Sequence, residues 1–326
     1  MRQFGKWLGR IILALFLLVG AIWLLAPVEK VDRDISFDSG ELGEDLDGWL
    51  AVSEQRFPDI IPGAAKRIQW AGAKGAKTPL AVIYLHGFSA TAEEIRPVPD
   101  EVAKALGANL LFTRLAGHGR GSAPMAEVLA GDWVEDMAEA MAIGRRLGDR
   151  VLVIATSTGG TLAAIAATDT ALSQGMAGIV MVSPNFGVKP VAAKILDLPF
   201  ARYWGPLVAG ETREFTPANP DQARYWTTKY PTLALFPMAA LVRHARSLDL
   251  GAANTPLLVL YSQQDQVVDA EKTLDVLAGW GGNVRFEPRT MRPGDDAYSH
   301  VIAGDILSPG QTEEVVALIV DWARGL

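Results

Sequence analysis

Short apolar runs alternate with amphipathic stretches from about residue 65 to the end of the chain. Apolar runs bounded by polar or glycine-rich segments are typical of strands buried on both faces of a sheet. Apolar residues that recur at helical spacing and end near a glycine predict helices. The predicted strands are 67–70, 80–85, 109–113, 151–155, 178–182, 257–261 and 283–286, and the predicted helices are 91–106, 124–147, 160–168, 270–277 and 313–323. This alternation predicts an α/β fold, with a mostly parallel sheet flanked by helices.

The alternation stops between residues 185 and 250, where aromatic residues and prolines are frequent and no clear strand pattern is visible. In open α/β sheets, ligands bind beyond the carboxyl ends of the strands. We therefore predict that residues 185–250 form a helical cap, or lid, on a core made of residues 65–184 and 251–326. An ordinary helical subdomain without a role in binding is the alternative. Residues 31–64 are predicted to be an acidic linker with a short helix within 46–57.

The first 30 residues differ from the rest of the chain. Residues 11–26 contain no charged or polar side chain, and Arg2, Lys6 and Arg10 precede them. With its apolar flank, this stretch approaches the roughly 17–25 residues that span a bilayer. We predict an uncleaved transmembrane anchor, because the residues before Pro27 make a poor cleavage site; a cleaved signal segment is the alternative. The basic flank is expected to stay cytoplasmic, which puts the catalytic domain on the extracytoplasmic side.

Composition excludes several classes of function. The 326 residues, 49% of them hydrophobic and 21% charged, suffice for one large domain or two smaller ones. A net charge of −7 argues against nucleic acid as a partner, because phosphate binding requires a basic face. Without cysteine the chain has no disulfide, thiolate nucleophile or zinc–thiolate site. With four histidines in all, we expect no metal and no cofactor.

One apolar run leads directly into a serine between small residues. The segment 151–160, VLVIATSTGG, continues into an alanine-rich helical stretch. A sharp strand-to-helix turn of this kind exposes a nucleophilic serine, usually in the pattern G-x-S-x-G, because the two backbones pass close together there. Ala155 replaces the first glycine of that pattern, and Gly159 supplies the second. Ser157 is therefore the candidate nucleophile.

A serine hydroxyl becomes a good nucleophile only when a base removes its proton. His300 follows the last predicted strand and precedes the final helix, which suits the base of such a site. His86 and His118 lie in turns, where we expect them to brace the loops. His244 lies in the predicted cap and is expected at a surface or an interface. We predict that His300 is the base.

The base requires an acid that holds it in the correct tautomer. Asp265 follows the strand 257–261 and gives the chain order serine, aspartate, histidine. Asp269 is the nearest alternative, although it could instead cap the following helix. Three further aspartates flank the histidine in loops and are expected to be solvated: Asp295, Asp296 and Asp305.

Two backbone N–H groups are needed to stabilise the oxyanion that forms during acyl transfer. Thr158 follows the candidate nucleophile at a helix N-terminus, where amides lack partners inside the helix. The loop after the strand 80–85 is the second source, with Gly87 allowing a tight turn and Phe88 offering its N–H. Ser89 could add a hydroxyl donor or cap the helix predicted to begin near Thr91.

In this order, the motifs resemble α/β-hydrolases of the serine carboxylesterase and monoglyceride lipase branch. The resemblance rests on Leu85–Phe88, the segment LAGHG at 115–119, the Ser157 turn, Asp265 and His300 with its preceding serine. It covers the chain from about residue 80 to the C-terminus. It implies ester hydrolysis through an acyl-enzyme, with a helical cap that shapes the acyl pocket. The N-terminal anchor is not part of the family pattern.

The sequence therefore predicts a membrane-anchored serine hydrolase that cleaves small-molecule carboxylic esters through Ser157, His300 and Asp265. The aromatic cap and the anchor favour apolar or lipid-derived acyl esters. A peptidase, thioesterase or acyltransferase using the same triad is an alternative. A catalytically silent binding protein tethered to the membrane is another.

Overall fold

The computed structural model describes residues 2–25 and 28–326. The strands are β1 (Arg67–Gln69), β2 (Thr78–Leu85), β3 (Asn109–Phe112), β4 (Gly148–Thr156), β5 (Met176–Val182), β6 (Thr212–Glu214), β7 (Lys229–Pro231), β8 (Leu257–Tyr261) and β9 (Val284–Pro288). The helices are α1 (Arg2–Leu25), α2 (Leu46–Glu54), α3 (Val98–Leu106), α4 (Ala130–Leu147), α5 (Thr158–Ala167), α6 (Ala201–Ala209), α7 (Pro220–Tyr225), α8 (Leu235–Ser247), α9 (Ala270–Leu277) and α10 (Thr312–Ala323). Strands and helices alternate as the sequence predicts, which confirms the α/β fold.

Seven strands form one sheet in the order β1-β3-β2-β4-β5-β8-β9. Only the pairing of β1 with β3 is antiparallel in this sheet. Leu85 pairs with Ala155, Thr156 with Val182, and Val182 with Leu260. The carboxyl ends of β2, β4, β5 and β8 therefore lie level at one edge. The loops that follow these four strands meet at that edge, where open α/β sheets bind ligands.

Side chains of the central strands alternate between two hydrophobic clusters. Ile83 and Val153 belong to one cluster, together with residues of α4, α5 and α8. Val82 and Leu152 belong to the other, together with residues of α3 and α10. Complete burial of each such side chain contributes about 1.5–3 kcal/mol. The clusters hold the strands, and hence the loops at their carboxyl ends, in fixed positions.

Two helices begin later than their hydrophobic pattern predicts. The first, predicted over 91–106, begins at Val98, because the prolines at 97 and 99 fit only the first turn of a helix. The second, predicted over 124–147, is divided into a 3₁₀ turn at Ala123–Ala126 and α4. Asp132 marks the start of α4, since its carboxylate accepts the N–H of Leu129 at 2.7 Å.

The segment between β5 and β8 contains α6, α7 and α8, and also a small antiparallel sheet of β6 and β7, which the sequence did not predict. Each of these strands has only three residues, too few for an alternating pattern to be recognised. α8 packs against α5, and its Met238 and Leu241 belong to the same hydrophobic cluster as the sheet.

The N-terminal helix matches the predicted apolar segment. Gln3–Leu25 has a mean hydropathy of 2.5, is long and apolar enough to cross a membrane, and has no buried residue in its most apolar stretch. A signal sequence has the same properties. Ala26 and Pro27, at the weak cleavage site considered above, lie outside the described residues. The short helix predicted within the linker segment is α2.

Candidate active site

Ser157 occupies a strained turn between β4 and α5. Its backbone lies at φ 49° and ψ −111°, a region that non-glycine residues rarely adopt and that costs about 1–3 kcal/mol. A Cβ on Gly159 would lie 2.4 Å from the carbonyl oxygen of Leu85, so only glycine fits there. Ala155, by contrast, is fully buried in β4, where its methyl group is accommodated. The departure from the usual motif therefore leaves the turn intact.

Neighbouring strands hold the backbone of Ser157 on both sides. Its N–H donates to the carbonyl of Val182 at 2.9 Å, and its carbonyl accepts from the N–H groups of Thr161 and Asn185 at 3.2 and 3.1 Å. Although Ser157 caps α5, its side chain makes no capping hydrogen bond. The hydroxyl is thus free for another partner, while the backbone that carries it is fixed.

Asp265 and His300 are brought together at the same edge of the sheet. Oδ2 of Asp265 lies 2.8 Å from Nδ1 of His300. Oδ1 of Asp265 accepts the N–H groups of Val267 and Val268 at 2.7 and 2.9 Å. Because these backbone bonds fix the carboxylate, the imidazole is held with Nδ1 toward Asp265 and Nε2 free. Asp269 instead caps α9, accepting the N–H of Lys272.

Asp296 was expected to be solvated, and this prediction was wrong. The residue is buried, and its Oδ2 accepts the N–H groups of His300 and Val301, both at 2.9 Å. An aspartate that bonds to backbone amides a few residues further on is a common way to build a tight turn. Asp296 therefore shapes the loop that presents His300.

The electrostatic surroundings of His300 favour its protonated form. Burial acts to lower the pKa of the imidazole, but the nearby carboxylates of Asp265, Glu94 and Asp296 outweigh it, and the pKa is raised above its usual value. Ser157 and His300 share no hydrogen bond among the described residues. Such bonds often tighten only when substrate binds.

The other three histidines lie away from any carboxylate partner of this kind. Nε2 of His86 accepts the N–H of Leu115 at 3.0 Å and Nδ1 contacts the carbonyl of Gly87, so His86 braces its loop as predicted. His118 is fully buried, and burial lowers its pKa to about 4, which keeps it neutral. His244 is half-buried on α8, and burial also lowers its pKa.

Two backbone N–H groups beside Ser157 have no hydrogen-bond partner in the part of the chain that is described: those of Phe88 and Thr158. Thr158 is the first residue of α5, where the helix dipole favours a negative charge. The two residues are the predicted oxyanion donors, and both N–H groups are available to donate hydrogen bonds to a negatively charged oxygen. Ser89 does not cap a helix near Thr91, because no helix begins there.

The pattern of the alpha/beta hydrolase family matches residues 82–301, which span more than half of the chain and every residue of this site. This chain belongs to the alpha/beta hydrolase family. It is 28% identical over 193 residues to the thermostable monoacylglycerol lipase of Bacillus sp. (strain H-257), a match that covers 58% of this chain and 72% of that enzyme. The protein is therefore an α/β hydrolase related to lipases and esterases.

Solved structures agree with this α/β-hydrolase fold. A structure from work on LipS and LipT, two metagenome-derived lipolytic enzymes, has a TM-score of 0.66 at 20% identity and covers 82% of this chain and 100% of its own. The monoacylglycerol lipase of Paleococcus ferrophilus has a TM-score of 0.57 at 13% identity, with coverages of 80% and 98%. At these identities the likeness concerns the fold.

An aromatic cluster lines the loop that carries Phe88 in this α/β hydrolase. The half-buried ring of Phe88 packs edge-on against Tyr230 of β7, with ring centroids 5.2 Å apart. It also packs edge-on against Trp133 of α4 at 6.4 Å. The segment between β5 and β8 therefore contacts the loop next to Ser157 through an apolar surface.

Sequence reasoning missed Glu94, which lies in the turns before α3. It is 2% exposed, and this burial raises the pKa of its carboxyl group to about 7. Its position three residues after Thr91 is the spacing of a helix-capping pair. The local sequence therefore does not show whether Glu94 caps a helix or belongs to the site. Among the described residues, no group of three or more His, Asp or Glu side chains could hold a metal ion.

Proposed function

We propose that this α/β hydrolase is a serine ester hydrolase in which Ser157, His300 and Asp265 form the catalytic triad. The observation that carries the proposal is the 2.8 Å contact between Asp265 and His300 at the edge where the strained Ser157 turn lies. A carboxylate fixed by two backbone amides, an imidazole with Nε2 free and an uncommitted serine hydroxyl make up the parts that acyl transfer requires.

In this mechanism Nε2 of His300 removes the proton of Ser157 as Oγ attacks the ester carbonyl. Asp265 accepts a hydrogen bond from Nδ1–H of His300, remains ionised and stabilises the imidazolium that forms. The N–H groups of Phe88 and Thr158 bind the oxyanion. When the tetrahedral intermediate collapses, His300 gives its proton to the departing alcohol and an acyl-enzyme remains. Water then attacks the acyl carbonyl while His300 takes its proton, and collapse of the second tetrahedral intermediate returns that proton to Oγ of Ser157 and releases the carboxylic acid.

The raised pKa of His300 has two opposite effects on this cycle. Only the neutral imidazole can take the proton of Ser157, so turnover falls at a pH below the His300 pKa. A more basic imidazole, however, is a better proton acceptor in the transition state. The acids around His300 therefore favour the imidazolium of the transition state, and the enzyme requires neutral to basic pH for full activity.

We propose that the substrate is an apolar or lipid-derived ester. The relative from Bacillus sp. is a monoacylglycerol lipase, which supports a lipid-derived ester as the substrate class. Helix α6 exposes Tyr203, Leu207 and Val208, three large apolar side chains on one short helix. Exposed apolar patches of this kind are typical of surfaces that meet lipids or other proteins.

We propose further that α1 anchors the enzyme in a membrane, with the hydrolase domain on the extracytoplasmic side. Arg202 at the start of α6 forms an ion pair with Glu29 at 2.7 Å, and Arg243 of α8 donates to the backbone carbonyl of Glu29. Glu29 follows the last residue of α1 by four positions. These contacts support an arrangement in which α6 lies close to the membrane surface.

The test is hydrolysis of short- and medium-chain p-nitrophenyl esters by the wild type, Ser157→Ala and Ser183→Ala. Ser183 is a matched control, because it also ends a strand at positive φ and is buried. We expect Ser157→Ala alone to lose hydrolysis and labelling by a fluorophosphonate probe. Retained turnover in Ser157→Ala would refute the proposal. A wild type that cleaves amides or thioesters faster than esters would refute the assignment of the bond.

A further inference from the structure

Glu94 is a buried acid at the edge of the site that the mechanism above leaves without a role. Its Oε2 accepts the N–H of Gly87 at 2.7 Å and the hydroxyl of Tyr84 at 3.0 Å. Gly87 immediately precedes Phe88, one of the two oxyanion donors. The position of that donor therefore depends on the hydrogen bond between Gly87 and Glu94.

The same carboxylate is linked to the strand that carries the nucleophile. The hydroxyl of Tyr84 lies 3.1 Å from Oγ1 of Thr156, the residue before Ser157. Tyr84 and Thr156 are both fully buried. A chain of three buried groups thus joins the oxyanion loop to the Ser157 turn. In a water-excluded site each of these bonds is stronger than at a surface, and losing one leaves an unpaired polar group.

Glu94 also lies next to the reacting groups. A Cβ placed on Gly87 would be 2.8 Å from Oε1 of Glu94 and 3.2 Å from Cβ of Ser157, so these two atoms are at most 6.0 Å apart. Oε1 makes no hydrogen bond within the described part of the chain. The charge on this carboxylate also acts on His300, and that of His300 acts on it.

We propose that Glu94 is a positioning residue that holds the Gly87–Phe88 loop against the Ser157 turn and supplies a further negative charge to His300. This inference rests on the triad proposed above. Asp265 contacts His300 at Nδ1, whereas Glu94 acts on the imidazolium from the side of the oxyanion loop. Asp265, Asp296 and Glu94 all favour the imidazolium, and Glu94 also holds the oxyanion loop through the N–H of Gly87.

In this proposal the enzyme is most active when the carboxyl group of Glu94 is ionised. Burial is the main cause that raises the pKa of Glu94 to about 7, and Gly87, His300 and Tyr84 act against it. The groups that face His300 are Asp265, Asp296 and Glu94. As the pH rises through about 7, Glu94 gains its charge and the imidazolium becomes more stable.

The experiment compares kcat and KM from pH 5 to 9 for the wild type, Glu94→Gln, Tyr84→Phe and the control Glu93→Gln. Glutamine keeps a side-chain oxygen that accepts the N–H of Gly87, but it carries no negative charge. We expect Glu94→Gln to lower kcat about tenfold with little change in KM, and to move the acidic limb of kcat/KM about half a unit or more to lower pH. Tyr84→Phe removes a hydrogen bond that lowers the Glu94 pKa, so it should lower kcat and move that limb to higher pH.

Glu93 is a suitable control, because its carboxylate pairs with Arg67 and Arg96 rather than with the site. Glu93→Gln should leave both the rate and the profile unchanged. A Glu94→Gln enzyme that folds, labels at Ser157 and keeps the wild-type profile would overturn the inference. If the wild type itself fails to label, the proposed triad fails instead. If Glu94→Gln does not fold, the Glu94→Asp variant is measured in its place. A Glu94→Asp enzyme with the wild-type kcat and the wild-type pH dependence of kcat/KM also overturns the inference.

Discussion

Arg114 and Glu54 form a bidentate ion pair in the interior of the protein. Nη2 and Nε of Arg114 lie 2.7 and 2.8 Å from the two carboxylate oxygens of Glu54, and the two side chains are only 3% and 8% exposed. Arg114 follows β3, whereas Glu54 ends α2, in the segment predicted to be a linker. That segment is therefore fastened to the loop that continues to His118.

Breaking this pair should destabilise the fold. Glu54→Gln leaves the guanidinium without its counter-charge, and we expect a loss of about 3 kcal/mol in the free energy of unfolding. Urea denaturation at pH 7 measures it. Asp59→Asn is the control, because Asp59 pairs with Arg120 at the surface and its loss should cost at most about 1 kcal/mol. Equal losses in both variants would contradict the prediction.

The same pair predicts a loss of stability in acid. Burial acts to raise the pKa of Glu54, but Arg114 outweighs it and the pKa is lowered below its usual value. A carboxylate with a lowered pKa in the folded state stabilises the protein above its unfolded pKa of about 4.3. That contribution is lost as the pH falls through the folded pKa. Urea denaturation at a series of pH values between 7 and 3 should show a smaller fall in the free energy of unfolding for Glu54→Gln than for the wild type.

Asp265→Asn should lower kcat by about 10³–10⁴ with a small effect on KM, since asparagine favours the wrong tautomer of His300. Without the charge of Asp265 the pKa of His300 falls, so the acidic limb of the remaining activity should move to lower pH. The control is Asp269→Asn, which alters only the cap of α9. A comparable loss of kcat in Asp269→Asn would show that the assignment of the acid is wrong.

Restoring the usual motif should not improve the enzyme. Ala155→Gly removes a fully buried methyl group from β4, and we expect about 1 kcal/mol lower stability with unchanged hydrolysis. Gly159→Ala should instead abolish activity, because its Cβ would overlap the carbonyl of Leu85. Thermal denaturation and burst titration with a fluorophosphonate measure the two effects. A gain in burst amplitude for Ala155→Gly would mean that alanine strains the turn.

Removal of residues 1–27 should release the enzyme from membranes while short-ester hydrolysis is retained. The measurement is the fraction of activity that sediments with membranes after an alkaline carbonate wash, for the full chain and the truncated one. Mass spectrometry of the full-length product gives its N-terminus. A product that lacks α1 and remains in solution would identify the segment as a cleaved signal instead of an anchor.

The sequence predicted the strands more accurately than the helix boundaries. Buried strands such as β8 have an uninterrupted apolar pattern, because both of their faces are covered. The starts of α3 and α4 depend on local hydrogen bonds and prolines that a hydrophobic pattern does not register. The strands β6 and β7 were missed because three residues carry no periodicity.

Some residues of the candidate site could likewise be predicted from the sequence, whereas others could not. Ser157, Asp265 and His300 each follow a recognisable strand or precede a recognisable helix, so their order along the chain pointed to them. The roles of Asp296 and Glu94 depend on contacts between loops, Asp296 with the amide of His300 and Glu94 with that of Gly87. Nothing in the local sequence distinguishes such acids from solvated ones.

The ion pair between Glu29 and Arg202 also limits how far the enzyme can move. Four peptide steps separate the end of α1 from Glu29, so the two points are at most about 14 Å apart. With α1 in a bilayer, this short connection would keep the hydrolase domain next to the membrane surface. It would then diffuse laterally with the membrane and meet esters held in that membrane without leaving the surface, whereas dissolved esters would have to diffuse to it.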